Sequence, residues 1–509
     1  MPKQNDRKRN VYRAVYTGLL SKMINLFFPF IIRTLLIHKL GTEYVGLDSL
    51  FTAILQVLSL TELGFCSAMV SNMYRPIAEN DYILTNALLN FYRKVYIYIG
   101  WLIFVIGLVL IPVLPHLIKD GYPSAINIYI LYLIFLFNSV VSYFLCAYRS
   151  SLFTALQRTD LNNNIDSLSK ALMYVAQIMI LVLIPNYYLY VIWIPLCTIV
   201  VNLVREYISR RLYPQYHPEN QISKELKKEI YKRVGALAGH KLGSVVTSSI
   251  CNIFISAYLG LGILGIFNNY YYILNAVMGV IVIFYNALLG SIGNSIASES
   301  VEKNFKDFKQ VMLFYMWIIG VCTTLLLCLY QPFMRLWLGE KMMVSMDIVF
   351  VLCLYFLVWK AIDVIKIYKD AAGMWWADKY KPYVSVMVNI LLNFFFIGEL
   401  GITGVLLSTI ICQLFIELPW SVYVFFKLYF KKSQWYFYSR FLPYMLCIIG
   451  VAYICYLVSE KLDIANQFVG FIIKAFVTLV ITNVLYIVLT YKSIEFLPVK
   501  NKINKILKL

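Results

Sequence analysis

Charge is scarce along this chain. Of 509 residues only 14% are Asp, Glu, Lys or Arg, where soluble domains carry about a quarter. With 61% hydrophobic residues and a mean hydropathy of +0.72, that scarcity excludes a soluble enzyme and a disordered chain. Acid is scarcer than base, 26 Asp and Glu against 45 Lys and Arg, a surplus of +19. The apolar composition excludes nucleic acid as the partner of that surplus. Alternation of period two is missing over many segments, which excludes a transmembrane barrel. The ten cysteines show no Cys-x-x-Cys or Cys/His spacing, so a disulfide scaffold and a metal centre are both excluded. No small-residue cleavage site follows the basic start, Lys3 to Arg9, so the first apolar segment reads as a retained helix. Nothing calls for a cofactor.

What the chain has instead is a succession of apolar stretches long enough to span hydrocarbon. Fourteen are predicted: 12–38, 43–73, 86–114, 124–148, 165–185, 187–209, 235–259, 264–295, 309–333, 346–368, 382–398, 401–427, 437–458 and 466–491. Lys and Arg then orient them. Thirty-five of the 45 lie in the two termini, counting Arg13 at the edge of the first span, and the connections 74–94, 149–170, 205–233, 303–309, 366–381 and 427–440. Five lie in the opposite connections: Lys39, Lys119, Arg335, Lys341 and Lys461. By the positive-inside rule both termini are cytoplasmic and the protein is multi-pass in the cell membrane.

The polar stretch 213–233, with Pro214, Pro218 and Lys224-Glu-Leu-Lys-Lys, reads as a cytoplasmic linker. Around it the chain repeats itself. A shift of 219 residues brings Lys22 onto Lys241, Leu40-Gly41 onto Leu259-Gly260, Gly46 onto Gly265, and Ile54-Leu55-Gln56 onto Ile273-Leu274-Asn275. Each copy holds six spans, an even number, so both run in the same sense. The expected fold is all-α: two six-helix lobes related by a parallel pseudo-twofold, plus two C-terminal helices. The predicted boundaries are an N-lobe at 1–212, the linker at 213–233, a C-lobe at 234–430, and spans 13 and 14 with a basic tail at 431–509.

Three stretches then resemble a known family. They are Leu40-Gly-Thr-Glu-Tyr-Val-Gly-Leu running into Leu58-Ser-Leu-Thr-Glu-Leu-Gly, Pro332-Phe-Met-Arg-Leu-Trp-Leu-Gly339, and Ala372-Gly-Met-Trp-Trp-Ala-Asp-Lys-Tyr-Lys-Pro382. They are similar to polysaccharide repeat-unit flippases of the Wzx type, in the multidrug/oligosaccharidyl-lipid/polysaccharide exporter superfamily. The resemblance covers essentially the whole chain and implies translocation of undecaprenyl-diphosphate-linked oligosaccharides by alternating access, for surface polysaccharide synthesis. It also implies that spans 13 and 14 give the polyprenyl tail a slot open to lipid.

Ionisable groups at membrane depth cost about 2.5 to 3.5 kcal/mol each on insertion scales, so each invites a role. Lys22 lies near the middle of the first span. Arg33, three turns on, falls within about 20° of the same face, and the repeat sets Lys241 against Lys22 and Asn252 against Arg33. Lys22, Arg33 and Lys241 are the candidate diphosphate ligands: Arg offers bidentate contacts and Lys a point charge. Asn25, Asn252, Asn268, Asn269, Asn275 and Asn286 are candidates for the sugar. Glu62 and Asp48 are candidates for ion coupling or charge exchange, with a proton or sodium as coupling cation. Competing readings stand beside these. Arg33 snorkels to the outer surface with His38 and Lys39; Lys22 and Lys241 are salt-bridged; Glu62 is a packing charge; Asp48 is an outer-end hydrogen-bonding residue. Lys360 and Asp363 read as a neutralised pair, and Trp337, Trp375 and Trp376 as interfacial aromatics.

Three other functions compete: a drug or metabolite antiporter of the same architecture, a peptidoglycan-precursor flippase, and a membrane-embedded glycosyltransferase or polymerase. A basic first-span face argues against an exporter of lipophilic cations. Short outer connections without paired carboxylates argue against an enzyme. The expected partners are the lipid-linked oligosaccharide, membrane lipids, a polysaccharide polymerase and glycosyltransferases.

Overall fold

The structure is a computed structural model that describes residues 4–59, 65–145, 147–462 and 464–491. Those residues are helical, with no strand among them. In chain order the helices are α1 (Gln4–Lys39), α2 (Thr42–Leu58), α3 (Phe65–Glu79), α4 (Tyr82–Val109), α5 (Ile128–Phe144), α6 (Tyr148–Ala155), α7 (Thr159–Leu183) and α8 (Tyr187–Leu212). There follow α9 (Lys224–Leu259), α10 (Leu261–Ser298), α11 (Val301–Leu338), α12 (Met346–Ala371), α13 (Lys381–Cys412), α14 (Leu418–Phe425), α15 (Trp435–Glu460) and α16 (Gln467–Thr490). Widened π-type turns, Gln413–Glu417 and Phe426–Phe430, flank α14.

The fourteen predicted spans overlap helix, though 43–73 falls on two helices, α2 and α3, with 60–64 outside the described residues. Ten helical runs among the described residues are long and apolar enough to cross a membrane, or eleven if the bent pair α5–α6 counts as one. One run, Lys381–Phe430, holds two predicted spans. Its break is Gly401, whose φ of 55° and ψ of −132° no helix accommodates and which a Cβ would strain. Helix starts follow local chemistry. Asp81, Asn127, Asn186, Ser223, Ser300 and Asn466 each accept a first-turn backbone N–H, satisfying donors that have no partner inside the helix.

Ser223 also divides the polar stretch 213–233. Beyond it Lys224-Glu-Leu-Lys-Lys-Glu is rich in helix formers and is already the start of α9, because no proline follows Pro218 to stop it.

The chain forms two compact units, Met1–Gly265 and Ile266–Leu509. In the first, α1 packs along α7, α2 on α9 and α5, and α8 on α5 and α7. Gly41 and Gly260, matched by the repeat, adopt nearly the same backbone (φ 119°, ψ 168° and φ 93°, ψ 167°) ahead of α2 and α10. Their downstream partners allow a close helix approach. A Cβ on Gly46 would meet the Leu261 carbonyl oxygen at 2.2 Å, and one on Gly265 would meet that of Thr42 at 2.2 Å.

The polar segment after α8 is strapped to the same unit. Buried Arg149 donates to Glu206 Oε2 (2.7 Å), Ser209 Oγ (3.3 Å) and the Tyr216 carbonyl (2.7 Å). Asn86 donates to the Gln215 carbonyl (3.2 Å) and accepts from His217 N (3.0 Å). In the second unit, α11 packs on α12, α15 and α16, and α12 on α13. Phe305, Phe308, Tyr368, Phe425, Phe426 and Phe430 form one aromatic cluster.

Candidate functional site: two sets of membrane charges

In the first unit the charged positions gather on α1, α2, α7 and α8. Lys22 is exposed on α1, and no ion pair involves it among the described residues. One turn on, Asn25 donates to the Ser21 carbonyl at 2.7 Å. Its Oδ1 accepts from Lys170 Nζ at 3.1 Å and Tyr174 OH at 3.4 Å, both on α7. Phe28 stacks on Tyr174 at 5.7 Å between centroids. Lys170 therefore meets α1 at Asn25, three residues on from Lys22. The charge count had placed it with the cytoplasmic connection 149–170; α7 runs unbroken from Thr159, which carries Lys170 into the helix.

Arg33 is half-buried and within electrostatic reach of Asp48 on α2. Asp48 acts in turn on Tyr187 and Tyr190, whose rings stack at 5.7 Å. Tyr187 OH donates to the Tyr44 carbonyl at 3.1 Å. The structure thus brings together two candidates chosen separately.

The other predicted residues are more scattered. Asn252 on α9 is half-buried, Asn268 and Asn269 on α10 are buried, and Asn275 and Asn286 are exposed. Lys241 lies in α9, but its side chain is outside the described residues, as is all of Glu62.

The second unit holds a charge network that the sequence showed only in part. Asp363, Lys366 and Asp370 of α12 fall within about 60° of one another around the helix. The predicted pair forms, with Lys360 Nζ 3.0 Å from Asp363 Oδ2. Lys366 Nζ lies 3.2 Å from Glu417 Oε2 in the π-type turn, and Ser385 Oγ donates to Glu417 Oε1 at 3.1 Å. Side-chain exposures of 25% for Lys366 and 22% for Glu417 leave this pair partly open.

At the end of α12, Asp370 accepts from Tyr285 OH (2.7 Å, Oδ2) and from Trp375 Nε1 (3.1 Å, Oδ1). Beneath the following loop, Asp378 is fully buried and paired with both Lys369 and Lys381, the latter at 2.7 Å. Lys381 also donates to Ser421 Oγ at 2.9 Å. Burial alone would raise the Asp378 carboxyl. The Lys381 and Lys369 ammonium groups outweigh it and hold the carboxyl below the usual carboxylate range. Among the described residues, no three His, Cys, Asp or Glu side chains converge as a metal site.

Chemically the two sets differ. Lys170 meets the neutral Asn25 amide, and Lys22 is exposed. Lys360, Lys366, Lys369 and Lys381 of the second unit are matched to carboxylates.

The sequence profile of a family described as polysaccharide biosynthesis protein matches residues 12–289, more than half of the chain. This chain belongs to that family. No curated protein matches the chain, but solved structures share its fold. The lipid II flippase MurJ, in an inward closed conformation, superposes with a TM-score of 0.69 at 15% identity, covering 94% of this chain and 98% of that one. An inward-facing multidrug resistance MATE family transporter of the MOP superfamily gives 0.55 at 14% identity, over 81% and 97% of the two chains. An outward-facing one gives 0.56 at 14%, over 83% and 94%. The chain is therefore a multi-pass membrane protein whose fold is shared with a lipid II flippase and with MATE family transporters.

Proposed function

We propose that this protein is a flippase that moves an undecaprenyl-diphosphate-linked oligosaccharide repeat unit from the cytoplasmic to the outer leaflet of the cell membrane by alternating access. The observation that carries the reading is membership of the polysaccharide biosynthesis family on a fold shared with a lipid II flippase. The chemistry is compatible. A diphosphate at membrane depth needs cations that carboxylates have not already neutralised, and Lys22 with Lys170 supplies them. Lys22, Arg33 and Lys241 are the proposed diphosphate ligands, to which Lys170 is added. Asn25, Asn252, Asn268, Asn269 and Asn275 are the proposed polar lining for sugar, and Asp48 and Glu62 the proposed acids for coupling to a proton or sodium. In this reading 1–212 and 234–430 act as the two lobes, both termini are cytoplasmic, and spans 13 and 14 serve the polyprenyl tail.

A peptidoglycan-precursor flippase is the second reading, favoured by the MurJ superposition. Deletion of the gene tests both. Loss of surface polysaccharide with normal cell-wall growth supports the first reading, and arrest of cell-wall growth supports the second. In the complemented strain, Lys22→Ala or Lys241→Ala abolishes export while the protein stays in the membrane. Normal export in both variants overturns the proposed cation site.

A further inference from the structure

We infer that the loop 372–380, between α12 and α13, is a landing platform for the saccharide part of the lipid-linked substrate. The inference rests on the oligosaccharide reading above and adds a site to it. Three large aromatic side chains of this short loop stand open: Trp375 at 42%, Trp376 at 58% and Tyr380 at 62% exposure. Lys379 Nζ sits 4.7 Å from the Trp376 ring centroid and 4.9 Å from that of Tyr380, so both rings flank one ammonium group.

The underside of the loop is fixed. Asp378 at its base is fully buried and holds Lys369 of α12 and Lys381 of α13. An interfacial aromatic that anchors by floating among headgroups needs no such foundation. Trp375 is oriented by its hydrogen bond to Asp370, and Asp370 closes the stripe that runs down α12 through Lys366 and Asp363. Platform and stripe therefore meet at Asp370.

The ligand class follows from this chemistry. Aromatic faces pack on the C–H faces of sugar rings while indole and phenol groups serve hydroxyls. An ammonium with three donors serves hydroxyl, carboxylate or phosphate substituents. The connection 366–381 is predicted to be cytoplasmic, the side from which the substrate would arrive.

The test uses the full-length protein in nanodiscs. The probe is the soluble oligosaccharide released by mild acid from the cell's own polyprenyl-linked pool, with an unrelated monosaccharide as control. The expected result is saturable binding read by isothermal titration calorimetry, weakened by about tenfold or more in the double variant Trp376→Ala/Tyr380→Ala and partly restored in Trp376→Phe. The melting temperature of the double variant should match that of the parent, because the buried Asp378 is untouched. Unchanged affinity in the double variant overturns the platform. So does strong quenching of Trp376 by brominated lipid, which would place the ring in the membrane interface. Binding decides the platform whatever export reports, whereas a deletion strain with normal surface polysaccharide overturns only the functional reading.

Discussion

The α1–α7 seam of the first unit and the α12 stripe of the second both hold charge where a membrane protein can least sustain it, and they handle it in opposite ways. At the seam, Lys170 meets the neutral Asn25 amide and the Tyr174 hydroxyl, and Lys22 is open. Along α12 and its neighbours, Lys360, Lys366, Lys369 and Lys381 are matched to Asp363, Glu417 and Asp378. A buried cation whose charge is already cancelled secures the helices it joins. One that faces only dipoles keeps its attraction for an incoming anion. The difference separates charges neutralised within the fold from those that the proposed function assigns to cargo.

The largest expected effect lies at Asp378. Asp378→Ala leaves Lys369 and Lys381 buried without their shared carboxylate, and breaking a buried pair from one side costs about 3 to 5 kcal/mol. The variant should melt far below the parent in a detergent thermal-denaturation assay; an unchanged melting temperature would erase the contrast between the two sets. Lys366→Met comes next and should lower the melting temperature clearly, because Glu417 is stranded. The double variant Lys366→Met/Glu417→Gln should recover most of that loss, since replacing both partners of a buried pair is often neutral. Failure to recover would give the pair a role beyond neutralisation.

Acid gives a smaller effect. The Asp378 carboxyl is lowered in the folded state, so its stabilisation is present above the unfolded carboxylate range near pH 4 and disappears as pH falls through the lower folded value. The gap in melting temperature between parent and Asp378→Asn should stay constant from about pH 5 to 7 and narrow in stronger acid. A gap that closes near neutrality contradicts this ordering.

The smallest stability effect belongs to the seam. Lys22→Ala should move stability by no more than about 0.5 kcal/mol, as for an unpaired surface group, while export is lost. Unfolding of that variant would sink the distinction from the other direction.

Much of the fold was legible because its signals are local. Apolar length marked the spans, the predicted span 401–427 starts at the break Gly401, and the repeated Leu-Gly turns took matching backbones at Gly41 and Gly260. The Lys360–Asp363 pair was legible for the same reason, being three residues apart on one helix. Lys369 and Lys381 were counted among connection cations because they flank a loop, yet both are buried on Asp378. Lys366 was counted with them and pairs with Glu417, far along the chain. Proximity to a helix end reports where a residue sits along the membrane normal, not which way its side chain turns or what packs over it. The same blindness hid the contact between Lys170 and Asn25.

The sequence by itself determined an all-helical, multi-pass membrane protein, its spans and its family, since hydrocarbon length, charge asymmetry and short motifs are written in consecutive residues. Only the tertiary structure decided which of its membrane cations are already neutralised. That depends on carboxylates brought in from other helices and loops, and the cost of burying a charge is set by what surrounds it in space.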